Sequence, residues 1–434
     1  MKLRPFELVM IVIFGGLAAL ALFLLATFKG NSEPDPSVTI GSVTVWGTIP
    51  ALQVTDLFVE KAKEFPALTQ ITYRYVDPKE LNTKLTEAIS YQQGPDMVLA
   101  SHENLAALRS RIYAFPYDKS TQLVDIRSKY LDGAQIFAMS DGLYGYPIAI
   151  DPLVMYWNKD ILTNEGYLEP PKTWEKLIND MFPTLIQRDF DRTIKRSVVS
   201  MGEYTNVRNS FGTISMLMLQ GGTKGVTENG REYQIQLSVS SQGAGNPIRS
   251  AADFYTRFSK SSNEQYSWNR SLPEDRLQFI AGDLVFYFGY GSEAGEIERA
   301  NPNLNFDIAE VPQGAEATVR RTYGKIYALS ILKSSQNING AAAVLPVLAG
   351  SAIANEIATR NNLVPAYRAT VAAGSNDIYG RTTYKTAPIT FGWLNPDRNA
   401  TDEIFGTMVK DINENRRDVD GATGDAMTKL RAQY

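Results

Sequence analysis

The stretch from Leu143 to Leu162 most constrains the fold that this chain can adopt. Residues 148–150 form a short apolar run typical of a buried strand, and Leu153 to Trp157 form a second one. Asp151 and Pro152 separate the two runs, and because proline has no N–H to donate, we expect strand pairing to be interrupted there. Two buried strands joined in this way indicate that the chain crosses from one domain to another at this point. The alternative is an ordinary pair of strands joined by a turn within one domain.

Strands alternate with helices between residues 38 and 112. We predict strands at Val43–Trp46, Ile71–Val76 and Met97–Ala100, with amphipathic helices between them and a helix over Leu105–Ile112 after them. This alternation predicts an α/β fold with a largely parallel sheet. Ligands bind such sheets at the carboxyl ends of the strands, which directs attention to the residues that follow the first and third strands.

Three segments resemble one protein family. They read Tyr-Gly-Tyr-Pro-Ile-Ala-Ile-Asp at 144–151, Met-Tyr-Trp-Asn-Lys-Asp-Ile-Leu at 155–162, and Pro-Pro-Lys-Thr-Trp-Glu-Lys-Leu at 170–177. In this order they resemble the sugar-binding, maltose-binding-protein-like group of extracellular solute-binding proteins that serve ABC importers. The resemblance implies a two-lobed periplasmic-binding-protein fold, with a hinge strand in the first part and a ligand cleft between the lobes.

The resemblance also implies that each lobe is built from two separate pieces of chain. The first lobe is expected to comprise residues 38–149 and 313–363. The second is expected to comprise residues 150–312 and 364–434. A long apolar helix is predicted within these pieces at Ala341–Arg360, with a break or kink at Pro346.

The N-terminal region carries an uncharged, mostly apolar run of 21 residues, Leu8 to Phe28. As a helix it would be about 31 Å long, enough to cross a bilayer core. A cleavable signal has a shorter apolar region followed by a small-residue cleavage site, so we predict a transmembrane anchor at 1–29 and a polar linker at 30–37. Basic residues precede the run, which predicts a single-pass protein of the cell membrane whose C-terminal domain is extracellular or periplasmic.

Composition excludes several classes of function. The net charge of −4 gives no electrostatic reason to expect nucleic acid. The 434 residues contain no cysteine, which excludes disulfides, a thiol nucleophile, thiolate metal ligands and a lipid-modified cysteine. His102 is the one histidine. We therefore predict no catalytic set, no metal site and no cofactor. A glycoside hydrolase is the alternative, because two of the carboxylates of Glu103, Asp151 and Glu203 could flank a glycosidic bond.

A sugar site needs aromatic rings that stack on pyranose faces, beside polar groups that pair with hydroxyls. In the first lobe the candidates are Trp46, Glu103 and Asn104, and at the hinge Asp151 matches an acidic position of the family. Core packing is the alternative role for Trp46. A turn cap is the alternative role for Asp151.

In the second lobe the resemblance places six further ligand-binding candidates: Tyr204, Asn206, Tyr290, Gly291, Phe391 and Trp393. Trp393 is the strongest stacking candidate among them. Trp157 and Trp174 lie in segments that resemble structural motifs, and we expect both to pack in the core.

The resulting hypothesis is a membrane-tethered, monomeric receptor without enzymatic activity. It captures a small molecule, an oligosaccharide by the resemblance, through closure of two lobes and passes it to the permease subunits of an ABC transporter. An extracellular glycoside hydrolase and a receptor that presents its ligand to a sensor protein are the alternatives. The residues do not identify the sugar, and they leave a peptide or polyamine ligand open.

Overall fold

The computed structural model describes residues 40–434 apart from 119, 120, 231 and 244. The predicted membrane anchor, Leu8–Phe28, and the predicted linker lie outside the described residues. Among the described residues, no single helix has the length and apolar character needed to cross a membrane. One helix pair, Ile338–Leu348 with Ser351–Arg360, meets that test only when its two members, bent by 74°, are counted together.

The strands of the described residues are β1 (Val43–Gly47), β2 (Ile71–Tyr75), β3 (Met97–Ser101), β4 (Ala138–Met139), β5 (Gly142–Leu143), β6 (Tyr146–Asn158), β7 (Gln187–Arg188), β8 (Ile194–Val199), β9 (Val226–Asn229), β10 (Glu232–Ile235), β11 (Leu284–Tyr290), β12 (Phe306–Ala309), β13 (Thr322–Ile331), β14 (Val364–Pro365) and β15 (Thr390–Phe391).

The α-helices are α1 (Ala51–Lys61), α2 (Leu81–Ser90), α3 (Leu105–Leu108), α4 (Leu123–Lys129), α5 (Lys159–Asn164), α6 (Phe182–Leu185), α7 (Ser210–Gln220), α8 (Pro247–Thr256), α9 (Asp275–Ala281), α10 (Ala294–Ala300), α11 (Ile338–Leu348), α12 (Ser351–Arg360), α13 (Arg368–Ala373), α14 (Gly380–Thr386), α15 (Arg398–Asn413) and α16 (Val419–Arg431).

Eleven of these strands form one sheet. Its main path has the order β2-β1-β3-β13-β6-β11-β8-β7, and β12 and β14 also pair with β6, while β15 pairs with β13. β1 runs parallel to both β2 and β3, as the alternation of strands and helices predicts. All five residues of β3 are buried, because the elements on both faces of this parallel part exclude water.

The long strand β6 joins the two ends of this sheet. It runs from Tyr146 to Asn158 without a break, so the predicted interruption at Asp151 and Pro152 is wrong. Pro152 pairs with Gly324 of β13, and the next residue, Leu153, pairs with β11. The strand exchanges partners at the proline, so the missing N–H falls where one ladder ends and the next begins.

Two large apolar clusters divide the molecule. We call lobe 1 the part that packs in the cluster around β1, β3 and the first half of β6, and lobe 2 the part that packs around β11, α7 and the second half of β6. In β13, Tyr323 belongs to the lobe 2 cluster and Ile326 to that of lobe 1. Further on, Ala387 and Leu394 belong to the lobe 1 cluster, and Trp393 and Ile404 to that of lobe 2. We therefore propose crossings at 151–153, 323–326 and 387–404, whereas the resemblance places boundaries at 313 and 364.

Two helix predictions differ from the structure. α3 ends at Leu108, because the chain then turns to the sheet, where Ile112 forms an antiparallel bridge with Leu332. α11 continues through Pro346, and the break comes later, at Gly350, whose backbone is extended with φ −66° and ψ 146°. That extended residue directly precedes α12 and accounts for the bend between the two helices.

Candidate functional site

Glu103 is the centre of the candidate site. It lies in a 3-10 turn, His102–Asn104, directly after β3, where the parallel part of the sheet exposes the carboxyl ends of its strands. Its side chain is buried, and Oε1 accepts a hydrogen bond of 2.6 Å from the hydroxyl of Tyr323 and lies 3.5 Å from Nε of Arg398. Glu103 belongs to lobe 1 and both partners to lobe 2, so this carboxylate connects the lobes.

Arg398 supplies the opposite charge from the first turn of α15. Its guanidinium carbon lies 3.8 Å from the centre of the Phe211 ring, and its Nη1 lies 2.8 Å from Oδ1 of Asp402. The hydroxyl of Tyr204 donates to the same Asp402 oxygen. The helix dipole disfavours a cation in the first turn, and the carboxylates of Glu103 and Asp402 compensate for it.

The two central groups are both charged at neutral pH. Burial opposes ionisation of Glu103, but the positive charges of Arg398 and Lys325 outweigh burial and lower the pKa of this carboxyl. Burial also opposes the charge on Arg398, whose pKa is nevertheless raised by Glu103 and Asp402. Burial lowers the pKa of His102 to about 4, so its ring is neutral. The lobes therefore meet through an ion pair whose carboxylate is buried and whose guanidinium side chain is 26% exposed.

The hinge contributes a second polar group beside this pair. Asp151 accepts two hydrogen bonds from Ser292, one of 3.0 Å from the backbone N–H and one of 2.6 Å from the hydroxyl. Lys325 is opposite Asp151 in the β6–β13 pair, and its Nζ lies 4.2 Å from the centre of the Tyr290 ring. Gly291 adjoins the carboxylate, since a Cβ placed there would lie 3.7 Å from Oδ1 of Asp151.

The buried carboxyl of Asp151 predicts a pH dependence of stability. Burial raises its pKa from 3.8 to about 6, so between these values the folded protein binds more protons here than the unfolded chain does. Stability contributed by this group therefore falls as pH rises from 4 to 6. Relative to wild type, Asp151→Asn should gain about 3 kcal/mol in unfolding free energy between pH 4 and pH 7, at about 1.4 kcal/mol per pKa unit.

Urea titrations of both proteins across this pH range measure the effect. Ser292→Ala is the companion variant: because the Ser292 hydroxyl lowers the pKa of Asp151, its loss should move the same transition to higher pH. A difference between wild type and Asp151→Asn that stays constant from pH 4 to pH 7 would contradict the assignment.

A cavity of about 280 Å³ lies between the lobes next to Phe391 and Trp393. Gln135, Ile136, Ala138 and Met139 of lobe 1 line one side, and residues 223–226 with Glu228 of lobe 2 line another. The Phe391 ring faces the guanidinium of Arg321, whose carbon lies 4.4 Å from the ring centre. Aromatic and cationic groups therefore border this part of the cleft.

Trp393 has a different environment from the one the sequence predicts. It is 3% exposed, packs against Phe211 and Phe405, and donates from Nε1 to the hydroxyl of Ser215 at 3.1 Å. It therefore supports the ring on which Arg398 lies, and it also lines the cavity. Trp157 and Trp174 are buried in lobe 2, which confirms the prediction that both pack in the core.

The structure does not bring Trp46 or Asn206 to this cluster. Trp46 is buried in the lobe 1 core, with Arg74 5.0 Å from its ring centre. The amide of Asn206 donates to the carbonyls of Asn269 and Leu272 and accepts from Nε1 of Trp268, so it fixes a loop. Asn104, in contrast, is buried directly beside Glu103 and makes no side-chain cap to α3.

Sequence reasoning missed four residues of the cluster: Phe211, Tyr323, Lys325 and Arg398. Phe211 occupies an ordinary core position of α7, and no local pattern marks Tyr323 as a partner of Glu103. A signal for Arg398 was present, because Asp397 is a helix cap whose carboxylate accepts from the Ala400 N–H, which places Arg398 in the first turn. Among the described residues, no three His, Asp or Glu side chains are grouped to hold a metal ion.

Two lobes that meet over a hinge, with charged and aromatic groups between them, define a hinge-type binding protein. The family model of bacterial extracellular solute-binding proteins matches residues 60–376, more than half of the chain. The protein therefore belongs to the family of bacterial extracellular solute-binding proteins.

Individual relatives are distant. The chain is 23% identical to the diacetylchitobiose binding protein DasA of Streptomyces coelicolor, over 62% of this chain and 59% of that protein. It is 21% identical to a maltooligosaccharide ABC transporter solute-binding lipoprotein of Streptococcus pneumoniae, over 96% and 95%. A cyclo/maltodextrin-binding protein complexed with maltotetraose superposes with a TM-score of 0.70 at 15% identity, over 93% and 98%. This likeness confirms the predicted two-lobed α/β fold.

Proposed function

We propose that the protein captures an oligosaccharide between its two lobes and delivers it to an ABC importer. The observation that carries the proposal is the interlobe pair of Glu103 and Arg398 beside a cavity that Phe391 lines. A carboxylate accepts from sugar hydroxyls, a guanidinium donates to them, and an aromatic face packs against the apolar side of a pyranose. The names of the relatives, which bind diacetylchitobiose and maltooligosaccharides, support the same class of ligand.

The proposed binding site combines the predicted and the newly identified residues. Ligand contacts are assigned to the cluster and to the cavity beside it: Glu103, Asn104, Tyr290, Phe391 and Arg398. Phe211 supports Arg398 from below. In this proposal the lobes separate about the three crossings, the sugar enters, and closure buries it. Asp151 fixes the turn that contains Gly291, and Tyr204 fixes the carboxylate of Asp402. In this proposal Asp151 and Tyr204 therefore position neighbouring residues and do not contact the sugar.

We propose that the apolar segment Leu8–Phe28 keeps the protein at the outer face of the membrane. The pneumococcal relative is named a lipoprotein, whereas the 434 residues of this chain contain no cysteine to carry a lipid. A membrane-spanning helix would serve the same purpose for a monomeric receptor. Fractionation of cells that express the full chain tests this: recovery of a shortened, freely soluble form would contradict it.

We propose binding without turnover, because the family and the structural neighbours are binding proteins and because two of the three acidic candidates for a hydrolase are held by side chains of lobe 2. Both carboxylate oxygens of Asp151 accept from Ser292. Glu203 lies 3.6 Å from Arg270, and its backbone carbonyl accepts from Tyr255. A retaining or inverting glycosidase needs two carboxyl groups that flank the scissile bond from opposite sides. The alternative role, in which the protein presents its ligand to a sensor protein, differs from transport only in the partner. The proposed binding site is the same in both roles.

Calorimetric titration of the full chain in detergent tests the proposal. Maltooligosaccharides and chitooligosaccharides of two to six sugars are the ligands, and one of them should bind with one site per chain. Chromatography of the recovered sugar should show it unchanged after prolonged incubation. Absence of binding across the series, or release of shorter sugars, would overturn the proposal.

A further inference from the structure

A hairpin of lobe 2 reaches across to lobe 1. It consists of β9 and β10 and follows α7. Glu228 of β9 pairs with Arg109 of lobe 1, and its other oxygen accepts from the Ser140 N–H at 3.1 Å. The hydroxyl of Ser140 also lies 3.2 Å from Glu228. The side chains of Arg109 and Glu228 are only 11% and 9% exposed, so this is a buried ion pair between lobes.

Arg109 is held by both lobes at once. Its guanidinium carbon lies 5.2 Å from the ring centre of Tyr144 in lobe 1 and 5.4 Å from that of Tyr233 in the hairpin. Nη2 also contacts Asp141 of lobe 1 at 3.3 Å and donates to the carbonyl of Gly230 at 3.1 Å. Tyr144 in turn donates to Asp141 at 2.8 Å. This position suits arginine and not lysine, because a flat guanidinium can contact two aromatic rings and donate to several acceptors at once.

We infer that this hairpin is a clasp that holds the two lobes closed, with Arg109 as its central residue. The clasp, defined by Arg109, Ser140, Tyr144, Glu228 and Tyr233, joins groups that would separate if the lobes opened. In the open form Arg109 and Glu228 would each be hydrated, so the interaction stabilises the closed form selectively. The inference rests on the hinge motion of the proposed function and is independent of the ligand's identity.

The clasp also borders the cleft. Glu228 and Met139 line the cavity beside Trp393, so the clasp forms one wall of that cavity. Opening the clasp would open this end of the cavity to solvent. The hairpin therefore couples the population of the closed form to access to the cavity beside the proposed sugar site.

Distance measurements on the full chain without ligand test the clasp. The absence of cysteine allows two spin labels to be placed cleanly at Val59→Cys of lobe 1 and Leu168→Cys of lobe 2, where the native side chains are 79% and 86% exposed. In the otherwise wild-type protein the interlobe distance distribution should be narrow. Arg109→Glu should raise the ratio of open to closed form by about tenfold or more, as expected for a close charge pair between surfaces.

Charge exchange separates the clasp from general damage. The double variant Arg109→Glu with Glu228→Arg should move the distribution back toward that of wild type, and Glu228→Gln, a milder change, should shift it in the open direction. Arg249→Glu is the matched control, because Arg249 pairs with Asp420 at 2.7 Å within lobe 2 and should leave the distance unchanged.

An unchanged distribution in both Arg109→Glu and Glu228→Gln would overturn the clasp, and so would an equal shift in the Arg249→Glu control. Since these measurements use no ligand, the result stands even if no saccharide binds. Saccharide binding by a protein whose distribution ignores all clasp variants would refute the clasp and leave the proposed function intact.

Discussion

Replacing Glu103 with alanine is expected to weaken oligosaccharide binding by about 100-fold. The substitution removes a proposed partner of the sugar hydroxyls and leaves Arg398 buried against Phe211 without its interlobe charge. Breaking a fully buried ion pair by removing one partner costs about 3–5 kcal/mol. Arg398 is 26% exposed and keeps Asp402 as a partner, so its cost should lie near the lower end of this range. In the open form Arg398 is hydrated, so most of that cost falls on closure and hence on binding, where 1.4 kcal/mol corresponds to a factor of ten.

Calorimetric titration with the best sugar of the series measures this effect. Glu103→Gln keeps an acceptor for Tyr323 but no charge, and it should give an intermediate loss. Glu165→Ala is the matched control, because Glu165 pairs with Arg196 at 2.7 Å on lobe 2, away from the cluster, and should bind normally. If Glu103→Ala binds as tightly as wild type, the sugar contacts other residues.

A cycle with Arg398→Ala identifies the mechanism. Because Glu103 and Arg398 form one ion pair, the double variant should lose less than the sum of the two single losses. Strict additivity would mean that each residue contacts the sugar alone, without the interlobe pair contributing to closure.

Local sequence pattern predicted much of the lobe 1 sheet. The strands at 43–46, 71–76 and 97–100 were read correctly to within a residue or two, because buried parallel strands are short apolar runs between helices with clear periodicity. Of the three proposed crossings between lobes, only the one at 151–153 was readable in this way. Whether Tyr323 packs in lobe 1 or lobe 2 depends on which strand pairs with its own. The local sequence pattern does not reveal the identity of that strand.

The site was predicted in part for a similar reason. Glu103 follows a recognisable buried strand, so its position at the carboxyl edge of the sheet could be inferred. Arg398 and Glu228 are charged residues of ordinary appearance, and 43 basic and 47 acidic residues offer many such pairs. Their roles depend on contacts across more than one hundred residues of sequence, which only the assembled lobes define.

Trp393→Ala is expected to lower the unfolding free energy of the protein by about 3–5 kcal/mol, as for other large buried aromatic residues. The indole packs against Phe211 and Phe405, and its N–H is paired with Ser215, so truncation leaves a cavity and an unpaired hydroxyl. This outcome differs from the stacking role that the sequence predicts for Trp393, in which the fold would stay intact and only binding would suffer.

Urea denaturation without ligand distinguishes the two roles. Trp174→Ala is the matched control, since Trp174 is equally buried, packs against Phe254 and Phe288, and donates to Gln220 at 2.8 Å. Similar destabilisation of both variants would confirm that Trp393 is a packing residue. Its replacement would then weaken sugar binding only indirectly, by loosening Phe211, the ring on which Arg398 lies. Full stability in Trp393→Ala together with a 5- to 150-fold loss of affinity, about 1–3 kcal/mol, would instead restore the stacking role.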